Sequence, residues 1–272
     1  MTHTDQIYCR LLTQILRDGE RIQSRNGETL RCFTLPTVVF TETPLVTLRK
    51  TAWQKAIREM EWFLSGDTKC PDELLGWWDG QLNNEGRYLA GYGHQLRAYQ
   101  GWFDQFRAFL EGLITHPYSR RHILSTWNPV EMPSITTLNN NPKAVSTCHS
   151  TLVQFFVSPT GELSMHSYQR SADMLLGVPH NWIQSWALLL WIAEQCSLVA
   201  DQMLWTFGDA HIYTEPSHQE TAIKIIEASE NTLDMAPRLE YTGNEQWFSA
   251  KNFQMIGTIH SPVVNTRPIL LC

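Results

Sequence analysis

The sequence predicts a mixed α+β chain. Three features carry that prediction: an amphipathic opening, β-rich runs behind an Asn-Gly turn, and a long apolar helical stretch late in the chain. Residues 5–18 place Ile7, Leu11, Leu12, Ile15 and Leu16 at helical spacing, and Gly19 follows as a stop. Between Ser24 and Val46, the Asn26-Gly27 turn precedes Leu30-Arg31-Cys32-Phe33-Thr34 and Thr37-Val38-Val39-Phe40, which read as strands. The pattern is helical again from Ala52 to Leu64, ending at Ser65-Gly66-Asp67, and from Trp102 to Leu113, closed by His116-Pro117. Met132 to Thr147 is rich in Asn, Pro, Ser and Thr and reads as a loop leading into Cys148. Thr151–Val157 and Leu163–Tyr168 flank a Pro159-Thr160-Gly161 turn, as a hairpin would. Trp182 to Gln195 is apolar nearly all round, the mark of a buried central helix. Strands near Met203–Phe207 and Leu239–Tyr241 complete the chain. With no repeat or linker to divide it, residues 1–272 are expected to form a single domain.

Composition narrows the function. With 43% hydrophobic and 18% charged residues, 272 residues can bury a large core. The net charge of −6 argues against a surface that wraps a duplex, so no stable nucleic-acid binding is expected. Any phosphate would be held by a few placed arginines, which suits a nucleotide. The six cysteines show neither CxxC pairs nor metal-ligand spacing, so they read as free thiols in a reducing, cytoplasmic setting, with no metal. Neither a leader segment nor an eighteen-residue apolar run is present, so no membrane association is expected. Most of the eleven tryptophans read as core.

Five groups of residues can carry chemistry. Cys148-His149 follows a polar loop, and a thiolate is a strong nucleophile that needs no metal, although a lone cysteine is more often a small buried apolar residue. Tyr168 to Asn181 gathers Gln169, Arg170, Ser171, Asp173 and Asn181 at a strand-to-helix passage. Arginine and serine suit a phosphate, and an asparagine amide offers donor and acceptor to a pyrimidine edge; alternatively, Asp173 or Ser171 simply caps a helix. Asp209, His211 and Tyr213 alternate onto one strand face, where they could bind a sugar hydroxyl or be satisfied core side chains. Arg120-Arg121 suits a dianion or is a solvated pair. Glu59 lies in a mostly apolar helical stretch, where burial would raise its pKa for proton transfer.

Taken together, these motifs resemble the thymidylate synthase family. The segment Tyr168–Asn181 is similar to that family's signature around its substrate-binding arginine, with Cys148-His149 upstream. The similarity extends through Pro44-Leu45-Val46-Thr47, Glu59, Trp62-Phe63-Leu64-Ser65-Gly66-Asp67-Thr68, Trp78-Asp79, Tyr92-Gly93, Ser119-Arg120-Arg121, Trp127-Asn128, Gly208-Asp209 and His211-Ile212-Tyr213. The resemblance implies a twisted mixed sheet packed with helices, one face of which forms a homodimer interface. It implies that Cys148 attacks C6 of dUMP, with 5,10-methylenetetrahydrofolate as co-substrate. Arg25, Gln169, Arg170 and Ser171 would contact the nucleotide, joined by Arg120 and Arg121 donated across the interface. His211 and Tyr213 would bind the deoxyribose 3′-hydroxyl. Asn181 would read the base, and its being Asn where relatives acting on deoxycytidylate carry Asp favours uracil. Glu59 and Tyr92 would assist proton movements, Asp173 would serve both catalysis and folate, and Trp78, Leu176, Gly177 and His180 would meet the folate.

Departures from the family pattern cluster on the folate side. Ser146-Thr147 replaces a proline before the cysteine, His180 an aromatic residue, Gln81 a tryptophan, Ala52 a histidine and Phe207 a glycine, and the tail 267–272 matches only loosely. A wetter folate pocket favours water over hydride as the final acceptor partner, so the reading leans to hydroxymethylation giving 5-hydroxymethyl-dUMP, with reductive methylation to dTMP as the alternative. A virus that hypermodifies its DNA would use such an enzyme. Two rival classes are a nucleotide- or RNA-binding regulatory protein without turnover, and a cysteine hydrolase using Cys148 and His211.

Overall fold

The computed structural model describes residues 1–24, 26–131, 147–229 and 236–257. The chain opens with α1 (His3–Asp18), whose N-cap Thr2 accepts from the Asp5 N–H, then β1 (Glu20–Ser24), β2 (Gly27–Cys32) and β3 (Val38–Phe40). Helix α2 (Trp53–Ser65) ends at Gly66, whose φ of 76° is the left-handed conformation that glycine adopts without strain. The short α3 (Leu75–Trp78) and α4 (Tyr92–Arg97) precede α5 (Gln105–Thr115). The predicted start of α5 at Trp102 moves to Gln105, because the Asp104 side chain caps the helix by accepting from Arg107 N–H. Strand β4 (Ile123–Ser125) follows, then the hairpin of β5 (Leu152–Val157) and β6 (Glu162–Asp173), helix α6 (Val178–Gln195), β7 (Val199–Tyr213), α7 (Pro216–Ala228) and the pair β8 (Arg238–Tyr241) and β9 (Phe253–Ile256). The loop expected at 132–147 lies outside the described residues except for Thr147.

The main sheet has the order β1-β2-β7-β6-β5-β4, with β3 also paired to β7. Every pairing is antiparallel except β6 with β7, which run parallel and are joined by α6. The sheet is therefore mixed, as an α+β chain with one crossover helix requires. Helix α6 buries Trp182, Ile183, Ala187 and Leu189 completely, which accounts for its all-round apolar sequence.

The central strands change facing partway along. On β6 the alternating buried positions Leu163, Met165, Ser167 and Gln169, with Ser164 beside them, give way to Ala172; on β7 Met203, Trp205 and Phe207 give way, past buried Gly208, to Ala210 and Ile212, with Tyr213 buried at the strand end. Gln169 is in register with Phe207, and Ala172 with Ala210, so the two strands change phase at the same level. Gly208 sits at that level, where an added Cβ would lie 2.7 Å from both the Arg170 carbonyl oxygen and the Tyr168 hydroxyl. The face opposite the core carries an in-register row, Gln154, His166, Leu204 and Val39, beside Leu152, Phe156 and Tyr168, with exposure running from 36% at Tyr168 to 62% at Phe156.

Since the Arg170 backbone cannot yield without disturbing the ladder, Gly208→Ala is expected to destabilise the fold by about 2 kcal/mol, read as a lowered urea midpoint at unchanged m-value.

Candidate active site

Cys148 lies just before β5 and is held from three directions. Its backbone N–H donates to the Tyr92 hydroxyl at 2.7 Å, and its carbonyl accepts from Arg170 N–H at 3.0 Å. The Arg170 Nη2 lies 3.5 Å from Sγ, while its Nε donates to the Thr147 carbonyl at 2.7 Å and its guanidinium covers the Trp127 ring. Thr147, where the family pattern has proline, anchors the approach by donating from its hydroxyl to the Thr126 carbonyl at 3.0 Å. Ser150 then turns the chain into β5 with a φ of 48°, a left-handed conformation that costs a non-glycine residue about 1 kcal/mol. Burial pushes the Cys148 thiol up from its ordinary value and the Arg170 guanidinium pulls it down. Burial also pushes His149 down to about 3, so its imidazole is neutral, stacked on Tyr92 with ring centres 4.5 Å apart. The adjacent histidine is thus no imidazolium partner for the thiolate.

Tyr92 is stacked between Phe63 and His149, and its hydroxyl accepts from both Cys148 and His149 N–H groups. Burial first, and the nearby Cys148 second, raise its pKa well above the ordinary value, so it remains a proton-bearing phenol. Glu59 on α2 is buried and accepts from the Trp78 indole N–H at 2.6 Å. Burial pushes its carboxyl up to about 7; Trp78, Gln184 and Lys55 oppose that shift. Trp78 itself packs among Trp62, Phe63 and Tyr88. The buried phenol of Tyr88 senses the charges of Cys148, Arg170 and Glu59 together, so all three lie within electrostatic reach of it.

Asn181 reaches the pocket from the first turn of α6. Its Oδ1 accepts from Gln169 Nε2 at 3.2 Å, and Gln169 Oε1 accepts from the Trp205 indole at 3.0 Å. This chain fixes the amide orientation, oxygen towards Gln169 and the NH2 group free to face a ligand. Asp173 takes the capping alternative: one carboxylate oxygen accepts from both Leu175 and Leu176 N–H at 2.9 Å. Arg49 donates from Nη1 to the Leu175 carbonyl and Tyr8 from its hydroxyl to that of Met174, so the turn before α6 is braced on several sides. His180 donates from Nδ1 to the Leu176 carbonyl at 2.7 Å and accepts at Nε2 from Ala52 N–H at 3.2 Å, a single neutral tautomer. Two departures from the family pattern, His180 and Ala52, are therefore one hydrogen-bonded pair. Phe207, grouped with the folate-side departures, is instead a core residue packed edge-on against Trp182.

His211 and Tyr213 share a face of β7 with Asp209, and Asp209 pairs with Arg31 at 2.9 Å. Ser171 N–H lies 3.5 Å from the Cys148 carbonyl. Arg120 and Arg121 are exposed on the turn before β4. Gly177 allows close approach of Asn181, an added Cβ lying 3.2 Å from its Oδ1. Arg25 and the tail 267–272 lie outside the described residues. Sequence reasoning did not single out Tyr88, Arg49 or Gln184; the first two sit among uninformative neighbours, and Gln184 was hidden in an apolar run. A separate open groove of about 620 Å³ runs along Thr41–Thr43, α6 and Arg238–Tyr241, and neither cysteine nor histidine lines it. Among the described residues, no three His, Cys, Asp or Glu side chains come together as a metal site, and no helix is long and apolar enough to cross a membrane.

Glu59 is a stability cost of the site. Its carboxyl titrates at 4.5 ordinarily and at about 7 when folded, so its contribution is intact below 4.5 and lost as pH rises through 7. Glu59→Gln is accordingly expected to be more stable than the parent at pH 8, by up to about 3 kcal/mol, with the gap closing towards pH 5 in urea denaturation.

The family description "Thymidylate synthase" matches residues 6–267 of the 272. This chain belongs to the thymidylate synthase family, enzymes that transfer a one-carbon unit from methylenetetrahydrofolate to dUMP.

Proposed function

We propose that the reaction ends with water, converting dUMP to 5-hydroxymethyl-dUMP and releasing tetrahydrofolate. Cys148 Sγ bonds C6 of the uracil, and the electron pair of the C5–C6 double bond moves towards C4 and O4. Asn181, its oxygen held by Gln169, presents the NH2 group to O4, and the Arg170 guanidinium favours the attacking thiolate. Bound folate supplies a carbon at the oxidation level of formaldehyde, which C5 takes up. C5 then gives up its proton, and that electron pair forms a double bond to the exocyclic carbon while the tetrahydrofolate nitrogen leaves with the C–N pair and takes up a proton. Water oxygen next bonds to the exocyclic carbon, and its proton passes to Glu59. The displaced pair returns to the ring, the C5–C6 double bond re-forms and Cys148 departs, with no net oxidation or reduction.

The observation that carries the water route is Glu59, a buried carboxylate at about 7 that accepts and returns a proton at neutral pH. Half-buried Gln81 and His180 support a polar folate side. Trp77 and His180, with ring centres 4.9 Å apart, and the Leu176-Gly177 backbone offer a flat surface that fits a bicyclic ring. Reductive methylation to dTMP is the second reading, favoured by the closed aromatic packing of Trp78 and by a His180 whose nitrogens are both taken by backbone. Arg25, Arg170 and Ser171 would bind the phosphate, His211 and Tyr213 the sugar, and Asp173 the folate with Trp78. The apolar open face of the sheet supports a homodimer, with exposed Arg120 and Arg121 completing the phosphate site of the second copy. A cytoplasmic setting accords with the free thiols.

Mass analysis of the product from dUMP and methylenetetrahydrofolate tests this. A gain of CH2O with tetrahydrofolate is expected; a gain of CH2 with dihydrofolate would establish methylation instead, and a Cys148→Ser protein as fast as the parent would remove the covalent route altogether. Asn181→Asp is expected to raise use of dCMP relative to dUMP by about tenfold or more, since a carboxyl complements the cytosine amine; an unchanged ratio takes Asn181 out of base reading.

A further inference from the structure

Cys148 is supported on two sides, and both supports lead to Gln95. On one side, the hydroxyl that accepts from the Cys148 N–H belongs to Tyr92, the first residue of α4. On the other, the Arg170 guanidinium lies 3.5 Å from Sγ through Nη2 and rests over the Trp127 ring, 5.1 Å from its centre. Trp127 is flanked by Thr126, which binds the Thr147 hydroxyl and the Ser150 carbonyl, and by the completely enclosed Asn128. Gln95 joins α4 to that segment. It lies three residues beyond Tyr92 and has no exposed surface. Its Nε2 donates to Glu131 Oε2 at 2.7 Å and to the Ala90 carbonyl at 3.2 Å, and its Oε1 accepts from Asn128 Nδ2 at 3.3 Å. A carboxylate only accepts, so Glu131 draws the NH2 end of the amide towards itself and leaves the oxygen for Asn128. The Asn128 side-chain oxygen then accepts from Val130 N–H, and its carbonyl from Glu131 N–H, which closes the turn 128–131. His94 Nε2, from α4 as well, lies 3.0 Å from the same Glu131 oxygen. Gln105 ties the Gln95 carbonyl to Ser125, at the end of β4.

We propose that Gln95, held by Glu131, is a positioning residue for Cys148: it fastens the Trp127 segment to the helix that carries Tyr92, and so sets the distance between the Arg170 guanidinium and Sγ. The inference rests on Cys148 being the nucleophile of the proposed reaction. A guanidinium at that distance favours thiolate over thiol, and the preference fades as the two groups separate. Gln95 acts through Trp127 and Arg170 and exchanges no proton itself. Every polar atom of its side chain is committed to this joint, and a shorter or apolar residue would leave Asn128 Nδ2 buried without its acceptor.

Glu131→Ala removes the acceptor of the Gln95 amide, whereas Glu131→Gln keeps an oxygen there and removes only the charge. The Cys148 thiol is titrated in the ligand-free protein by the pH dependence of its alkylation with iodoacetamide, read at the Cys148 peptide by mass spectrometry so that the other cysteines do not enter. Through space, loss of a negative charge favours the thiolate and lowers the midpoint; a guanidinium that has drifted from Sγ raises it. The expected result is a Glu131→Ala midpoint raised by about half a pH unit, roughly a threefold loss of thiolate at neutral pH, and a Glu131→Gln midpoint at or below that of the parent. A folded Glu131→Ala protein with a midpoint at or below the parent's overturns the inference, as does a Glu131→Gln midpoint raised as far as that of Glu131→Ala. Should Glu131→Ala not fold, Gln95→Met decides: the same upward movement is expected, and the parent's midpoint overturns the proposal. Because the midpoint is read without nucleotide or folate, its failure is separate from a Cys148→Ser protein that turns over dUMP as fast as the parent.

Discussion

The parallel pairing of β6 with β7, closed by α6, is the constraint on which the site depends. Two strands that run the same way in register change facing together, Gln169 beside Phe207 and Ala172 beside Ala210. Below that level their side chains fill the core under α6; above it the Arg170 and Ser171 backbone N–H groups meet the Cys148 carbonyl, while His211 and buried Tyr213 follow on the neighbouring strand. The bare Cα of Gly208 allows the change, since any side chain there would strike the Arg170 backbone. The helix that must cross back between the strands then delivers Asn181 and Gln184 to the same region.

Burial supplies the chemistry. An aromatic enclosure of Phe63, Trp78, Tyr88, Tyr92 and His149 withdraws water from three ionisable groups and treats each according to its charge. Glu59 is brought to about 7, His149 is kept neutral, and the thiol of Cys148 is raised and then partly relieved by Arg170. With a neutral histidine beside the cysteine, the proposed reaction assigns its proton traffic to the carboxylate and the phenol. On the proposed mechanism, the folded state tolerates an ionisable carboxyl in its core because that group accepts the proton.

Elements with strong periodicity were legible before the structure: α1, α2 and α6 lie where their apolar spacing puts them, and the β5–β6 hairpin turns at Pro159-Thr160-Gly161. Strand β7 was read as two fragments because its fifteen residues contain Gly208 and a change of buried parity, which breaks the alternation that identifies a strand. Helix α7 went unread, although Glu215 and Pro216 are ordinary start signals. Within the site, residue type indicated that Asp173 caps or binds and left both open; its two backbone hydrogen bonds are a tertiary fact. His180 looked like added polarity, but bonds at both nitrogens depend on Ala52, 128 residues away, and no local pattern encodes that meeting.

The hydrogen-bonded line from the Trp205 indole through Gln169 to Asn181 extends from the core to the NH2 group proposed to meet the base. An amide has no intrinsic preference for which end it shows, so the choice of donor over acceptor at the pocket is made by an indole proton that never meets the nucleotide. On the proposed role of Asn181 in reading the base, selectivity for one pyrimidine over another is held partly in the hydrophobic interior, and repacking beneath the sheet would alter what is recognised while the groups proposed to touch the base stay the same.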